Sequence, residues 1–174
     1  MPLKQGLVQV YTGDGKGKTT AAMGLGLRAV GAGLSVYMIQ FMKGRRYSEI
    51  DAIEKIKGFT VVQFGRDEFV SKKDPEKIDM DLARKGLDHA KKIIKDGKSD
   101  VVILDEINVA LDYNLVSLEE VLQLVKGKPA NMELILTGRY APKGLMDIAD
   151  LVTNVGEVKH PYQKGMQSRK GIDW

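Results

Sequence analysis

Tyr11-Thr12-Gly13-Asp14-Gly15-Lys16-Gly17-Lys18-Thr19-Thr20 is the stretch on which the fold turns. An apolar run at 7–11 leads into it and a helix-periodic stretch at 18–30 leaves it, so a strand passes through a glycine-rich turn into a helix. Glycine lets the backbone curl until successive N–H groups face one concavity, a shape that takes up phosphate oxygens. The helix opening at Lys18 adds its positive dipole end. Lys18 adds a full charge, and the Thr19 hydroxyl suits Mg²⁺. This is the chemistry of a P-loop. It makes Thr12, Gly13, Asp14, Gly15, Lys16, Gly17, Lys18, Thr19 and Thr20 candidate phosphate-binding residues, with Lys18 and Thr19 the candidates for a catalytic part. The usual GxxxxGK[ST] spacing would put its first glycine at position 12. This chain has Thr12 there, and the glycine follows one residue later.

Outward from this turn, short apolar runs alternate with longer helical ones. Strands are expected at 7–11, 34–40, 59–64, 101–104, 134–136 and 151–152, and helices at 18–30, 49–56, 75–96, 118–125 and 142–148. The run Val101-Val102-Ile103-Leu104 is continuous rather than alternating, as in a parallel strand covered on both faces. Leu82, Leu87, Ala90, Ile93 and Ile94 repeat at helical spacing, opposite most of Lys91, Lys92 and Lys95. The expected fold is α/β: a three-layer, RecA-like P-loop fold with a mostly parallel sheet of five or six strands and helices on both faces. One domain over residues 1–174 is expected, without repeats or a linker. Two stretches fall outside this pattern, the polar loop 65–74 and the tail 156–174. Such segments carry substrate-specific residues in α/β domains, or else are a mobile loop and a frayed end.

Composition narrows the chemistry. With 174 residues, 43% hydrophobic and 29% charged, the chain is long enough for one core and has no bias toward disorder. It has no cysteine, which excludes disulfides, cysteine–zinc and iron–sulfur sites and thiol nucleophiles. No leader-like or membrane-spanning apolar run is present, so a cytoplasmic protein without a membrane partner is expected. The net charge of +4 fits an anionic ligand and also fits nucleic acid.

A second element complements the turn. The strand at 101–104 ends in Asp105-Glu106, the Walker-B arrangement in which an acid on a neighbouring strand holds Mg²⁺ or its waters. Thr19, Asp105 and Glu106 are therefore the candidate metal ligands, though Glu106 also reads as the N-terminal acid of a following helix. Arg139, in Leu136-Thr137-Gly138-Arg139, follows a strand at the same sheet edge and can contact a nucleotide or simply face solvent. Gln40, Lys43 and Gly44 follow the second strand in the same way, and Glu49 closes that loop. Lys16 can touch a phosphate or be solvated; Asn108 and Tyr113 begin or continue the helix after the acid pair, where core packing competes; His160 can shape the ligand site or be simply exposed. His89, in a lysine-rich amphipathic helix, reads as structural or surface.

Taken in order, TGDGKGKTTAAMGLGLRAVGAG, QFMKG at 40–44, LDEINVAL at 104–111, LTGR at 136–139, ADLVT at 149–153, KHPYQKG at 159–165 and RKGIDW at 169–174 resemble the P-loop corrinoid adenosyltransferases. The resemblance covers nearly the whole chain. It implies that reduced corrinoid, as Co(I), attacks the 5′-carbon of ATP and displaces triphosphate, with Mg²⁺ or Mn²⁺ and with ATP reversed in the loop relative to most P-loop enzymes. It also implies a homodimer, and a flavoprotein that reduces Co(II). Members of the family place aromatics on a loop beside the corrinoid. Here that loop is 65–74, whose only aromatic is Phe69, since the sole tryptophan is Trp174. Longer relatives carry an N-terminal capping segment before the first strand, a task expected here of a partner subunit. Co(I) is itself a strong nucleophile, so no general base is required, and the chain has only His89 and His160.

Two other readings share parts of this pattern. A nucleoside kinase of the thymidine-kinase type has a P-loop and a similar acid pair, but it usually carries a cysteine zinc site. A RecA-like ATPase would act on DNA, yet no basic groove studded with aromatics is visible and nucleic acid is not an expected partner.

Overall fold

A computed structural model describes residues 3–174. Strand β1 (Val8–Thr12) runs into helix α1 (Lys18–Gly31), followed by β2 (Val36–Phe41), α2 (Ser48–Ile53), β3 (Phe59–Phe64) and α3 (Lys77–Asp96). Then come β4 (Val101–Asp105), α4 (Ile107–Asp112), α5 (Leu118–Lys126), β5 (Glu133–Thr137), α6 (Lys143–Ile148) and β6 (Leu151–Asn154). A 3₁₀ turn, Pro161–Lys164, follows. The six strands form one sheet in the order β3-β2-β4-β5-β1-β6, and every pairing is parallel.

The central strands are covered on both faces, while the edge strand β6 is exposed, and β4 shows why its sequence is unbroken. Val102 and Leu104 pack into one core with Leu87, Ala90, Leu134 and Leu136; Val101 and Ile103 pack into the other with Ala22, Met38 and Ile135. Successive side chains of a strand point to opposite faces, so a strand buried on both needs apolar residues at every position. Each such side chain stabilises the fold by about 2 kcal/mol on burial.

Helix α2 ends three residues earlier than its sequence pattern suggests. Lys55 N–H bonds the Ala52 carbonyl and Ile56 N–H that of Ile53, so the last turn tightens into i→i−3 bonding before Phe59 enters the sheet. At the N-terminus of α3, the Glu76 and Asp79 side chains cap each other's backbone reciprocally.

The connections place the chemistry. Helix α1 leaves β1 toward one face, while the elements after β4 and β5 pack on the other. Where neighbouring strands lead to opposite faces, a crevice opens at their carboxyl ends. Register brings specific residues to that edge: Gln40 lies beside Asp105, and Tyr11 beside Thr137.

Candidate functional site

Two glycines shape the turn between β1 and α1. Gly13 and Gly17 have φ of 98° and 118°, values that side chains disfavour. A β-carbon on Gly13 would also meet Asn154 Oδ1 at 2.1 Å and the Val155 carbonyl oxygen at 2.5 Å. The segment after β6 thus wraps the back of the turn, and Gly15 N–H donates to the Val155 carbonyl at 2.7 Å.

Lys18, 8% exposed, folds over the turn and donates to the carbonyls of Gly13 (2.6 Å) and Gly15 (2.7 Å). Burial lowers its pKa, with Glu106 opposing that shift.

Asp105 is fully buried at the centre of a polar cluster. Its Oδ1 accepts from Thr19 Oγ1 (2.8 Å) and Thr137 Oγ1 (2.6 Å), and its Oδ2 from Gln40 Nε2 (3.0 Å) and Lys43 Nζ (2.8 Å). Burial pushes its carboxyl up, but the Lys43 charge and the hydrogen bonds from Lys43, Thr137 and Thr19 outweigh that and hold it below the ordinary range. Lys43 shows the converse. Burial opposes its charge, yet Asp105 and Glu106 raise its pKa above the ordinary lysine value. Glu106, next along the chain, is driven up by burial and by the Asp105 charge. Its backbone sits at φ 62°, held by a 3.1 Å hydrogen bond from its N–H to Thr137 Oγ1.

Left-handed residues gather at this edge. Met42 follows β2, Glu106 follows β4, and Gly138 and Tyr140 follow β5, all with positive φ. Strained backbone concentrates where function requires an otherwise unfavourable shape.

Two cavities adjoin here. The first, of about 460 Å³, is lined by the turn from Asp14 to Thr20 and by His160, Arg169 and Asp173 of the tail. The second, of about 340 Å³, is lined by the loop from Arg66 to Val70 and by Val109, Tyr113 and Tyr140. Lys43, Tyr47, Glu106 and Arg139 line both and form the wall between them.

Lys18, Thr19, Thr20, Asp14, Gly15, Lys16, Gly17, Glu106 and Arg139 thus meet at the first cavity, and Phe69 lies in the second. Thr12 and Gly13 line neither, and Thr12 Oγ1 instead accepts from Ala141 N–H at 3.2 Å. Asp105 lies beneath Thr19 rather than on the surface. Lys16, partly exposed at the rim of the first cavity, donates to the Ile172 carbonyl (3.1 Å) and pairs with Asp173. Arg139 reaches the Asp14 carbonyl at 3.0 Å. Asn108 is buried and ties α4 to the Gly138 carbonyl (3.1 Å), its Oδ1 without a protein partner. His89 pairs with the Tyr37 hydroxyl at 2.9 Å, away from both cavities.

The tail is not frayed. Residues 160–162, 166–169 and 173 line the first cavity, Ser48 Oγ donates to the Trp174 carbonyl (3.2 Å), and the Arg45 guanidinium lies 4.6 Å from the centroid of the Trp174 ring. Sequence reading passed over Tyr47, Thr137, Tyr140 and Lys72. Thr137 and Tyr140 flank Gly138-Arg139, and that position was their only signal.

Among the described residues, no cluster of three or more His, Cys, Asp or Glu side chains has metal-binding geometry. A cation at this edge would be held by the two carboxylates and the Thr19 hydroxyl. The spot already holds a positive group, since Lys43 Nζ lies 3.1 Å from Thr19 Oγ1, 2.8 Å from Asp105 and 3.8 Å from Glu106. A cation therefore fits these residues, with Lys43 turned aside. No helix among the described residues is long and apolar enough to cross a membrane.

Residues 4–174 match the protein family described as ATP:corrinoid adenosyltransferase BtuR/CobO/CobP. A corrinoid adenosyltransferase from Sinorhizobium sp. is 37% identical over 175 residues, covering 98% of this chain and 81% of that protein. One from Escherichia coli K12 is 35% identical over 177 residues, covering 98% and 87%. An uncharacterized protein from Nostoc sp. is 41% identical over 170 residues, 90% of this chain but 45% of that protein.

Proposed function

This chain belongs to the ATP:corrinoid adenosyltransferase family, and from that premise we propose that it transfers the 5′-deoxyadenosyl group of ATP to the Co(I) of a reduced corrinoid in cobalamin metabolism. A Co–C bond forms to the 5′-carbon as its bond to oxygen breaks. Triphosphate leaves with that electron pair, and cobalt gives up two electrons to the new bond. ATP lies in the first cavity and the corrinoid in the second. The observation that carries this reading is the shared wall of Lys43, Tyr47, Glu106 and Arg139, which sets two open cavities side by side so that groups held in each can meet.

The chain's own residues have two tasks, orientation and care of the departing charge. Lys18 exchanges its loop carbonyls for phosphate oxygens, and N–H groups of the turn other than that of Gly15, which is bonded to Val155, meet the same anion. Arg139, bonded to the Asp14 carbonyl, is placed to touch either substrate. Thr19, Asp105 and Glu106 would hold Mg²⁺ or Mn²⁺, which would supply positive charge to the departing triphosphate. Phe69 offers the corrinoid an apolar surface. No base is needed, and no histidine lies in the Asp105 cluster. We propose further that residues 1–174 act as one cytoplasmic domain, as a homodimer, with Co(I) supplied by a flavoprotein. The family resemblance of the sequence supports the homodimer and the flavoprotein.

The test is anaerobic incubation with MgATP and borohydride-reduced cobalamin. The Co(I) spectrum should give way to that of adenosylcobalamin with one triphosphate per turnover. Formation of ADP or phosphate in place of triphosphate would sink the reading.

A further inference from the structure

Arg66 and Lys72 pin the two ends of one loop, and between them Phe69 is left fully exposed. At the first end, the Arg66 guanidinium donates to both carboxylate oxygens of Asp79 (2.8 and 3.1 Å) and to Glu76 (2.6 Å), the two acids that cap α3. Its carbonyl accepts from Gly44 N–H at 3.2 Å. At the second end, Lys72 Nζ lies 2.7 Å from Asp112 at the end of α4, and 5.8 and 5.6 Å from the ring centroids of Tyr113 and Tyr140. An ammonium within about 6 Å of an aromatic face is attracted to it. Lys72 itself lines neither cavity.

Leaving Phe69 exposed does nothing for the fold. A fully exposed phenylalanine gains nothing from burial, and an unanchored loop could fold its ring back. Tyr140 also keeps an unfavourable backbone, φ 61°, while 54% of it stays exposed. Phe69, Tyr113 and Tyr140 are thus three rings around one cavity, the last two beside the Lys72 ammonium.

We infer that Lys72 is a positioning residue for the corrinoid: clamped to Asp112 and seated against Tyr113 and Tyr140, it holds the loop so that Phe69 and Tyr140 present two aromatic surfaces to the flat macrocycle. The inference rests on placing the corrinoid in the second cavity. Preorganising the loop removes an ordering cost from corrinoid binding and none from ATP binding.

The experiment compares wild type with Lys72→Met, Lys72→Arg and Asp112→Asn, using borohydride-reduced cobalamin and MgATP. Lys72→Met is expected to raise the cobalamin KM about tenfold, with kcat and the ATP KM unchanged within about twofold. Asp112→Asn should act in the same direction, the double variant should be no worse than either single one, and Lys72→Arg should stay near wild type. Without substrate, amide exchange over residues 66–73 should quicken in Lys72→Met. An unchanged cobalamin KM, a parallel rise in the ATP KM, or unchanged exchange would each overturn the role of Lys72. A wild-type chain that makes no adenosylcobalamin would instead sink the functional reading, and the corrinoid role of the loop with it.

Discussion

Lys43 donates a 2.8 Å hydrogen bond to Asp105, and its ammonium stands where Thr19, Asp105 and Glu106 converge. A cation is thus part of this cluster even without metal, and the pair is almost wholly removed from water, with the Asp105 side chain at 0% and Lys43 at 17% exposure. Breaking one partner of a buried pair leaves the other uncompensated. Asp105→Asn should therefore lower stability by about 3 kcal/mol in urea unfolding. Asp105→Asn combined with Lys43→Met should recover much of that loss, because replacing both partners removes the stranded charge.

Lys18 carries the phosphate assignment. Lys18→Ala should reduce kcat/KM for adenosylation by about a hundredfold or more, the scale of losing one charged stabiliser of a leaving group. Its circular dichroism should match wild type. A variant that turns over normally would remove the turn from the mechanism.

Phe69 is exposed and so tests binding apart from folding. Phe69→Ala should change stability by less than about 0.5 kcal/mol, as for surface substitutions generally. The same variant should lose corrinoid turnover in the steady-state assay.

Tyr140 sits where glycine would be at ease. Tyr140→Gly relieves about 1 kcal/mol of left-handed strain and gives back a similar amount in the entropy of the unfolded chain. Stability should hardly move, while the cobalamin KM rises. A large fall in Tm would mean that the ring is packing for the fold.

Asp173 makes the tail sensitive to pH. Hydrogen bonds from Lys16 and from the Arg169 backbone hold its carboxyl well below the ordinary carboxylate range. A depressed acid keeps its contact above the unfolded-chain pKa of about 4 and loses it as pH falls toward the folded value. Trp174, the sole tryptophan, reports on that contact from beneath Arg45. Its emission should be flat from neutral pH down to about 4 and shift below that. Asp173→Asn should show the shifted emission at neutral pH.

What the sequence determined by itself was the frame of the site. The spacing of glycines before Lys18-Thr19 and the unbroken run before Asp105-Glu106 are local facts, since a turn needs certain backbone angles and a doubly covered strand needs continuous apolar residues. They sufficed for the α/β class, the parallel sheet and the glycine turn between β1 and α1. Only the tertiary structure decided who stands beside whom. Gln40, Lys43 and Thr137 meet Asp105 because β2, β4 and β5 are neighbours in a sheet that sequence order does not reveal. Tyr113, Tyr140 and Lys72 join Phe69 from three separate stretches, and Lys16 is taken up by a tail more than 150 residues away. Contacts of that kind depend on how helices and loops pack across the sheet edge, and no periodicity in the chain encodes them.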